Sequence, residues 1–315
     1  MMERYNGLIE ARIVAWCGGL PENGLYAPMA YLMGLPAKRV RPALVLMGCE
    51  LFGGAAEDVM EEAMGIELFH NFTLMHDDIM DKAPLRRGRP TVHEKWGVNT
   101  AILSGDAMLV KAYQALGRYP EVHAVFSRCA LEVCEGQQLD MDFERRADVG
   151  VDEYMEMIRL KTAVLLACAL RIGGIVAGAG QEDQDRIAAF GEHLGLAFQL
   201  RDDVLDAFGD PAKTGKQQGG DLRAGKKTFL LIRGLERAAE NRTGILRDEL
   251  AKRPDERDVP RMLGLLETLG VRDEAEALAI KHHRAAYAQL EAIKVPEEGK
   301  MPLIALADRL VDRSS

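Results

Sequence analysis

The chain has 315 residues, 48% hydrophobic and 28% charged, which is ample for a large core. A formal net charge of -9 argues against broad nucleic-acid binding, so any cations that matter must act locally. Aromatics make up only 6%, and the five cysteines match no zinc knuckle; both point to a helix-rich cytoplasmic protein with reduced thiols.

Residues 1 to about 17 read as an amphipathic helix, with no signal-peptide apolar core in MMERYNGLIEARIVAW. Gly18, Gly19, Pro21, Asn23 and Gly24 mark the loop after it. In LPAKRVRPAL, Pro36 and Pro42 bracket Lys38, Arg39 and Arg41. Pro42 suits the first turn of a helix, which places these cations at an N-terminal end that a helix dipole does not favour. The segment is either a solvated basic loop or an anion site.

From Gly54 to Asp81 there is no proline, and Val59, Ala63, Ile66, Phe69, Phe72 and Met75 recur at helical steps. This predicts one long buried helix ending in HDDIMD. Pro84 and Gly88 then enforce a loop, and a further helix runs from about Thr100 to Leu116. Residues 121–210 lack proline altogether, with short breaks near 147–150 and 178–180, as a bundle of long helices requires. The apolar stretch Thr162 to Gly180 is interrupted by Arg171 and by glycines, and reads as a core helix and not as a membrane span. No segment alternates like a strand, so no sheet is expected. A Gly- and Lys-rich loop follows Asp206, and amphipathic helices resume at Phe229, separated by charged connectors at 253–258 and 296–300. The reading is a single all-α domain over 1–315.

The chemistry concentrates at two places. Asp77 and Asp81 stand one helical turn apart on one face, with Asp78 beside them. Carboxylates so close repel one another unless solvated or shared by a cation, and oxygen-only donors favour Mg²⁺ or Ca²⁺ over zinc. Arg86 and Arg87 follow at once, and carboxylates ringed by fixed cations suit a metal-bound polyphosphate. One such motif alone could be a solvated helix end. The same spacing returns in FQLRDDVLD as Asp202, Asp203 and Asp206, which is hard to ascribe to solvation. His70 lies two turns before Asp77, Gln199 three residues before Asp202, and Lys161-Thr162 inside an apolar helix where a lysine needs an anionic partner. Lys216 and Lys226 sit in the glycine-rich loop.

Together these elements resemble the trans-isoprenyl diphosphate synthases, or polyprenyl synthetases. The resemblance runs through KRVRP at 38–42, LMHDDIMDKAPLRRGRPTVH, GQQLD at 136–140, LKTAVL at 160–165, FQLRDDVLD, GKQQGGDLRAGKKT and the final LADRLVDR. It departs at Pro36-Ala37, where the family has Gly-Gly. It implies antiparallel helices around a deep central cavity, a homodimer, and Mg²⁺ held mainly by Asp77, Asp81 and Asp202, with Asp78, Asp203 and Asp206 ligating or supporting. Arg86, Lys161, Lys216 and Lys226 would hold an allylic diphosphate, with Thr162 and Gln199 beside Lys161 at the reacting centre. Lys38, Arg41, His70 and Arg87 would hold isopentenyl diphosphate. The implied reaction is head-to-tail condensation, the released pyrophosphate taking the proton. Phe72, five residues before Asp77, and Phe69 beyond it would limit the growing chain. The arrangement resembles enzymes making geranylgeranyl diphosphate, with farnesyl diphosphate or a longer product as alternatives. A terpene cyclase would need neither DDVLD nor a second anion site, and a non-catalytic partner subunit would not keep both aspartate motifs.

Overall fold

A computed structural model describes residues 2–210 and 218–311. In chain order the helices are α1 Met2–Gly18, α2 Ala27–Met33, α3 Val40–Leu51, α4 Met60–Met80, α5 Val92–Trp96, α6 Val98–Leu116, α7 Pro120–Phe143 and α8 Val151–Ile158. They continue with α9 Val164–Val176, α10 Gln181–Phe208, α11 Gly220–Ala224, α12 Phe229–Glu240, α13 Ile245–Leu250, α14 Val259–Thr268, α15 Val271–Glu291 and α16 Glu297–Val311. The fold is all-α. The expected breaks at 147–150 and 178–180 are the α7–α8 and α9–α10 turns. The short helix α11 falls in the stretch read as a Gly- and Lys-rich loop, and α2 and α5 fall where no element is assigned, because five to seven residues are too few to display a period. No helix among the described residues is long and apolar enough to cross a membrane.

The expectation of no sheet needs one correction. Leu85–Arg86 (β1) pairs antiparallel with Arg89–Pro90 (β2), Leu85 opposite Pro90 and Arg86 opposite Arg89. The turn residues Arg87 and Gly88 have φ of 53° and 73°, the left-handed pair that a two-residue hairpin requires. Strands of two residues cannot reveal alternation in a sequence.

The chain forms two compact units. The first comprises residues 1–128, 168–187 and 295–303. Its centre is α4, whose Ala63, Ile66 and Phe69 are fully buried. Glycines let helices touch here: a Cβ on Gly48 of α3 would lie 2.5 Å from the Leu170 carbonyl oxygen of α9. Ahead of α3, Arg39 is only 2% exposed. Its guanidinium donates to Glu67 of α4 and Glu10 of α1, each at 2.7 Å, and to the carbonyls of Met33 and Leu35. Arg39 adopts the left-handed conformation, φ 45°, and this four-way anchorage holds it there.

The second unit comprises residues 129–167, 188–294 and 304–315. Its core gathers Phe143, Tyr154, Leu200, Leu231, Met262 and Leu266 from α7, α8, α10, α12 and α14. Between α8 and α9 the chain makes a π-helical turn over Arg159–Ala163. Two glycines make room for it. A Cβ on Gly136 of α7 would overlap the backbone nitrogen of Lys161, and one on Gly195 of α10 would lie 2.5 Å from the Cα of Ala163.

Candidate active site

In the first unit, Asp77 and Asp78 occupy the last turn of α4 and Asp81 caps it. A helix C-terminus carries partial negative charge, so three carboxylates there are destabilising by themselves. One is compensated within the fold. Asp78 is 2% exposed, and Arg86 of β1 spans it, Nε at 2.9 and 2.8 Å from the two oxygens and Nη2 at 2.7 Å from Oδ1. Asp77 is half-buried and Asp81 exposed. Thus Asp78 and Arg86, expected on metal and diphosphate respectively, hold each other.

Upstream on α4, His70 meets Arg41 of α3, whose Nη1 lies 3.1 Å from the imidazole Nε2. Burial, then the guanidiniums of Arg41, Arg87 and Arg86, keep this imidazole well below its usual pKa and so neutral. A neutral ring that accepts from Arg41 at Nε2 carries its proton on Nδ1. Arg87 donates to the Leu35 carbonyl at 3.5 Å, and Lys38 is exposed in the same loop region. Cationic groups therefore gather around His70 from two loops and α3, as a diphosphate site held without metal would need.

Phe69 and Phe72 lie in a row of rings. Phe72 contacts His76 at 4.8 Å between centroids and Phe69 at 5.6 Å. Phe69 meets Phe126 edge-on at 5.1 Å, and Phe126 meets Tyr113 at 4.9 Å. His76 was not singled out from the sequence, although its four-residue spacing from Phe72 is a usable signal.

In the second unit, a small open cleft is lined by Lys161, Thr162, Gln199 and Lys226, together with Asp140, Tyr154, Asp203 and Thr228. The widened π turn presents Lys161 and Thr162 side by side to this cleft. Lys161 Nζ is 2.5 Å from Asp140 Oδ2, the anionic partner that an interior lysine requires. Thr162 donates to Gln199 Oε1 at 3.3 Å, and Gln199 donates to Asp203 Oδ1 at 3.2 Å. The hydroxyl of Tyr154 donates to Asp203 Oδ2. Burial pushes the Asp203 carboxyl up to about 7. Asp206 accepts from the backbone N–H of Asp221 at 2.9 Å, tying α10 to α11, while Asp202 is half-buried. Thr228 caps α12 by accepting from Leu231 N–H, so the positive end of that helix borders the cleft. Lys216 lies outside the described residues.

Asp140, Tyr154 and Thr228 were not assigned roles from the sequence. Thr228 before FLLIRGL carries an N-cap signature that could have found it; Asp140 and Tyr154 lie 21 and seven residues from Lys161, and only the fold brings them to it.

Among the described residues no group of three or more His, Cys, Asp and Glu side chains forms a metal cage. The hard oxygen donors of Asp77 and Asp81 in the first unit, and of Asp202 in the second, are each of the type that fits Mg²⁺.

A polyprenyl synthetase family model matches residues 22–266. The chain belongs to the polyprenyl synthetase family. It is 36% identical to a short chain isoprenyl diphosphate synthase of Methanothermobacter thermautotrophicus, covering 99% of this chain and 98% of that protein. It is also 36% identical to a geranylfarnesyl diphosphate synthase of Aeropyrum pernix, covering 97% and 99%. A crystal structure of a geranylgeranyl pyrophosphate synthase superposes with a TM-score of 0.94 at 41% identity, covering 100% of this chain and 99% of that one. This polyprenyl synthetase is a prenyltransferase that joins isopentenyl diphosphate head to tail with an allylic diphosphate to make a short-chain prenyl diphosphate.

Proposed function

We propose that the product is geranylgeranyl diphosphate, made in a Mg²⁺-dependent reaction. The observation that carries the length is the position of Phe72. It stands five residues before Asp77, about 7.5 Å along the helix at 1.5 Å per residue, with the fully buried Phe69 and Phe126 behind it. An allylic chain extending along α4 from a diphosphate near Asp77 would meet this aromatic floor. The geranylfarnesyl relative supports a second reading, a C25 product, for which His76 and Phe72 would have to turn aside.

In this reading Asp77 and Asp81, and separately Asp202, would hold Mg²⁺, which would supply neutralisation of the charge on a departing diphosphate. Lys161, Lys226 and Lys216 bind that diphosphate, and Thr162 and Gln199 orient it. The allylic C–O bond breaks with its electron pair leaving on oxygen. The double bond of isopentenyl diphosphate, held by Lys38, Arg41, His70 and Arg87, supplies the pair for the new C–C bond. The proton lost from the adjacent carbon passes to the released pyrophosphate. Apolar walls keep water from the cation.

A homodimer belongs to the same proposal. Val98, Ile102, Leu103 and Val110 of α6 are exposed by 46, 42, 61 and 57%, apolar side chains along one helix of the kind a second copy covers. The deciding experiment incubates purified protein with Mg²⁺, isopentenyl diphosphate and C5, C10 or C15 allylic starters, and sizes the products by mass spectrometry. A C20 endpoint is expected; a C15 or C25 endpoint would replace the assignment.

A further inference from the structure

Asp203 spends its whole carboxylate inside the protein. It is 5% exposed, its Oδ1 accepts from Gln199, and its Oδ2 accepts from the hydroxyl of Tyr154. Tyr154 is itself 2% exposed, and its hydroxyl also meets the backbone of Phe229 at the start of α12. One hydroxyl thus joins α8, α10 and α12 at the inner wall of the cleft. Thr162 extends the chain of hydrogen bonds through Gln199, so the π turn is tied to the same carboxylate.

The consequence follows from helical geometry. Residues 202 and 206 are four apart, so they project within about 40° of one another, whereas 203 projects about 60–100° away from both. Pinning Asp203 inward fixes the rotation of the end of α10. Asp202 and Asp206 are then presented on one side of the helix. The first motif has the same plan in its own unit, where Arg86 pins the middle aspartate Asp78.

We propose that Tyr154 is a positioning residue for the second aspartate motif, its hydroxyl holding Asp203 as an internal anchor so that Asp202 is set for a divalent cation. This rests on the reading of Asp202 as a metal donor. Outer-shell partners of metal ligands carry about a 10–100-fold effect on affinity. A tyrosine that only filled the core would do so equally well as phenylalanine.

The test is Mn²⁺ binding followed by EPR in the presence of inorganic pyrophosphate, with thermal unfolding as a check on the fold. For Tyr154→Phe we expect Mn²⁺ affinity to fall about tenfold, while KM for isopentenyl diphosphate stays at the wild-type value. Wild-type Mn²⁺ affinity in Tyr154→Phe would overturn the proposal. Asp202→Ala separates the two layers: if it leaves Mn²⁺ binding intact, the metal assignment itself fails. Should Tyr154→Phe not fold, Asp203→Asn decides. An anchor keeps its bond to Tyr154 through the amide oxygen, so Mn²⁺ affinity should stay at the wild-type value; a loss of about tenfold or more from a folded Asp203→Asn would make Asp203 a ligand and overturn the anchor role.

Discussion

Gly136 of α7 lies directly against the backbone of Lys161. A Cβ added to it would overlap the Lys161 nitrogen and sit 2.8 Å from the carbonyl carbon of Leu160. Those neighbours are main chain and cannot swing aside. Gly136→Ala should therefore cost about 1–3 kcal/mol by overpacking and push the π turn away from the cleft. Urea unfolding should report the lost stability. Steady-state assays should show a fall in kcat larger than that stability loss explains, because Lys161 and Thr162 move together. Gly195→Ala, acting from the opposite side, should behave alike.

Removing a donor aspartate should separate activity from stability. Asp77 stands at the C-terminal end of α4 beside Asp78 and Asp81, where negative charge is unfavourable. Asp77→Ala is expected to lower kcat by about 10²–10³-fold or more, a typical loss when stabilisation of developing charge is removed. Its melting temperature should be unchanged or raised. Asp202→Ala should follow the same pattern. Near-normal turnover in either variant would remove that residue from the metal site.

Shortening the aromatic floor should lengthen the product. Phe72→Ala opens the first ring of the row but leaves Phe69 on Phe126 intact at 5.1 Å. The expected product is one or two isoprene units longer, not an open-ended series. Phe72→Ala with Phe69→Ala should lengthen it again. An unchanged product size in Phe72→Ala, measured by mass spectrometry, would make Phe72 a core residue and nothing more.

Arg39 offers a test of the isopentenyl site from behind. Its pair with Glu67 is buried, with both side chains at most 2% exposed. Removing one partner of a buried pair costs about 3–5 kcal/mol, since the other charge is left stranded. Arg39→Ala should destabilise by that order in urea titrations. The surviving folded fraction should show a raised KM for isopentenyl diphosphate, because Lys38 and Arg41 flank this anchor in the chain.

A pH effect is expected away from the cleft. His193 of α10 and His282 of α15 bring their Nδ1 atoms to 3.1 Å. Burial, then the charge of His193 and of Lys281, lowers the His282 pKa to about 4. The folded pKa is below the unfolded one, so this stability is complete above about pH 6.5 and is lost as pH falls towards 4. The slope is at most about 1.4 kcal/mol per pH unit, and less for a pair partly open to solvent. Comparing unfolding of the wild type and His282→Gln at pH 7.5 and 5 should show a smaller loss in the variant.

What could be read from the sequence divides along physical lines. Helices long enough to repeat their apolar steps, such as α4 and α10, were legible, and so were the acidic motifs at their ends. The hairpin at Arg87-Gly88 was not, since its two-residue strands carry no period. Lys161 could be marked as a lysine needing an anion, but the identity of that anion, Asp140, depends on how α7 packs beside the π turn. Tyr154 carries no local sequence signal of its partner. Its bond to Asp203 arises between segments 49 residues apart, which no local pattern encodes.

The π turn at Arg159–Ala163 has a consequence for how this protein can change. One extra residue is accommodated without an extra turn, so side chains beyond Ala163 resume about 100° out of phase with those before Arg159. A deletion of one residue here would leave the segment wholly helical and every neighbouring side chain chemically intact. It would nonetheless turn half the helix by more than a quarter revolution, carrying Lys161 and Thr162 off the cleft. At this position a change in residue count is therefore a graver event for descent and for engineering than several changes of residue type.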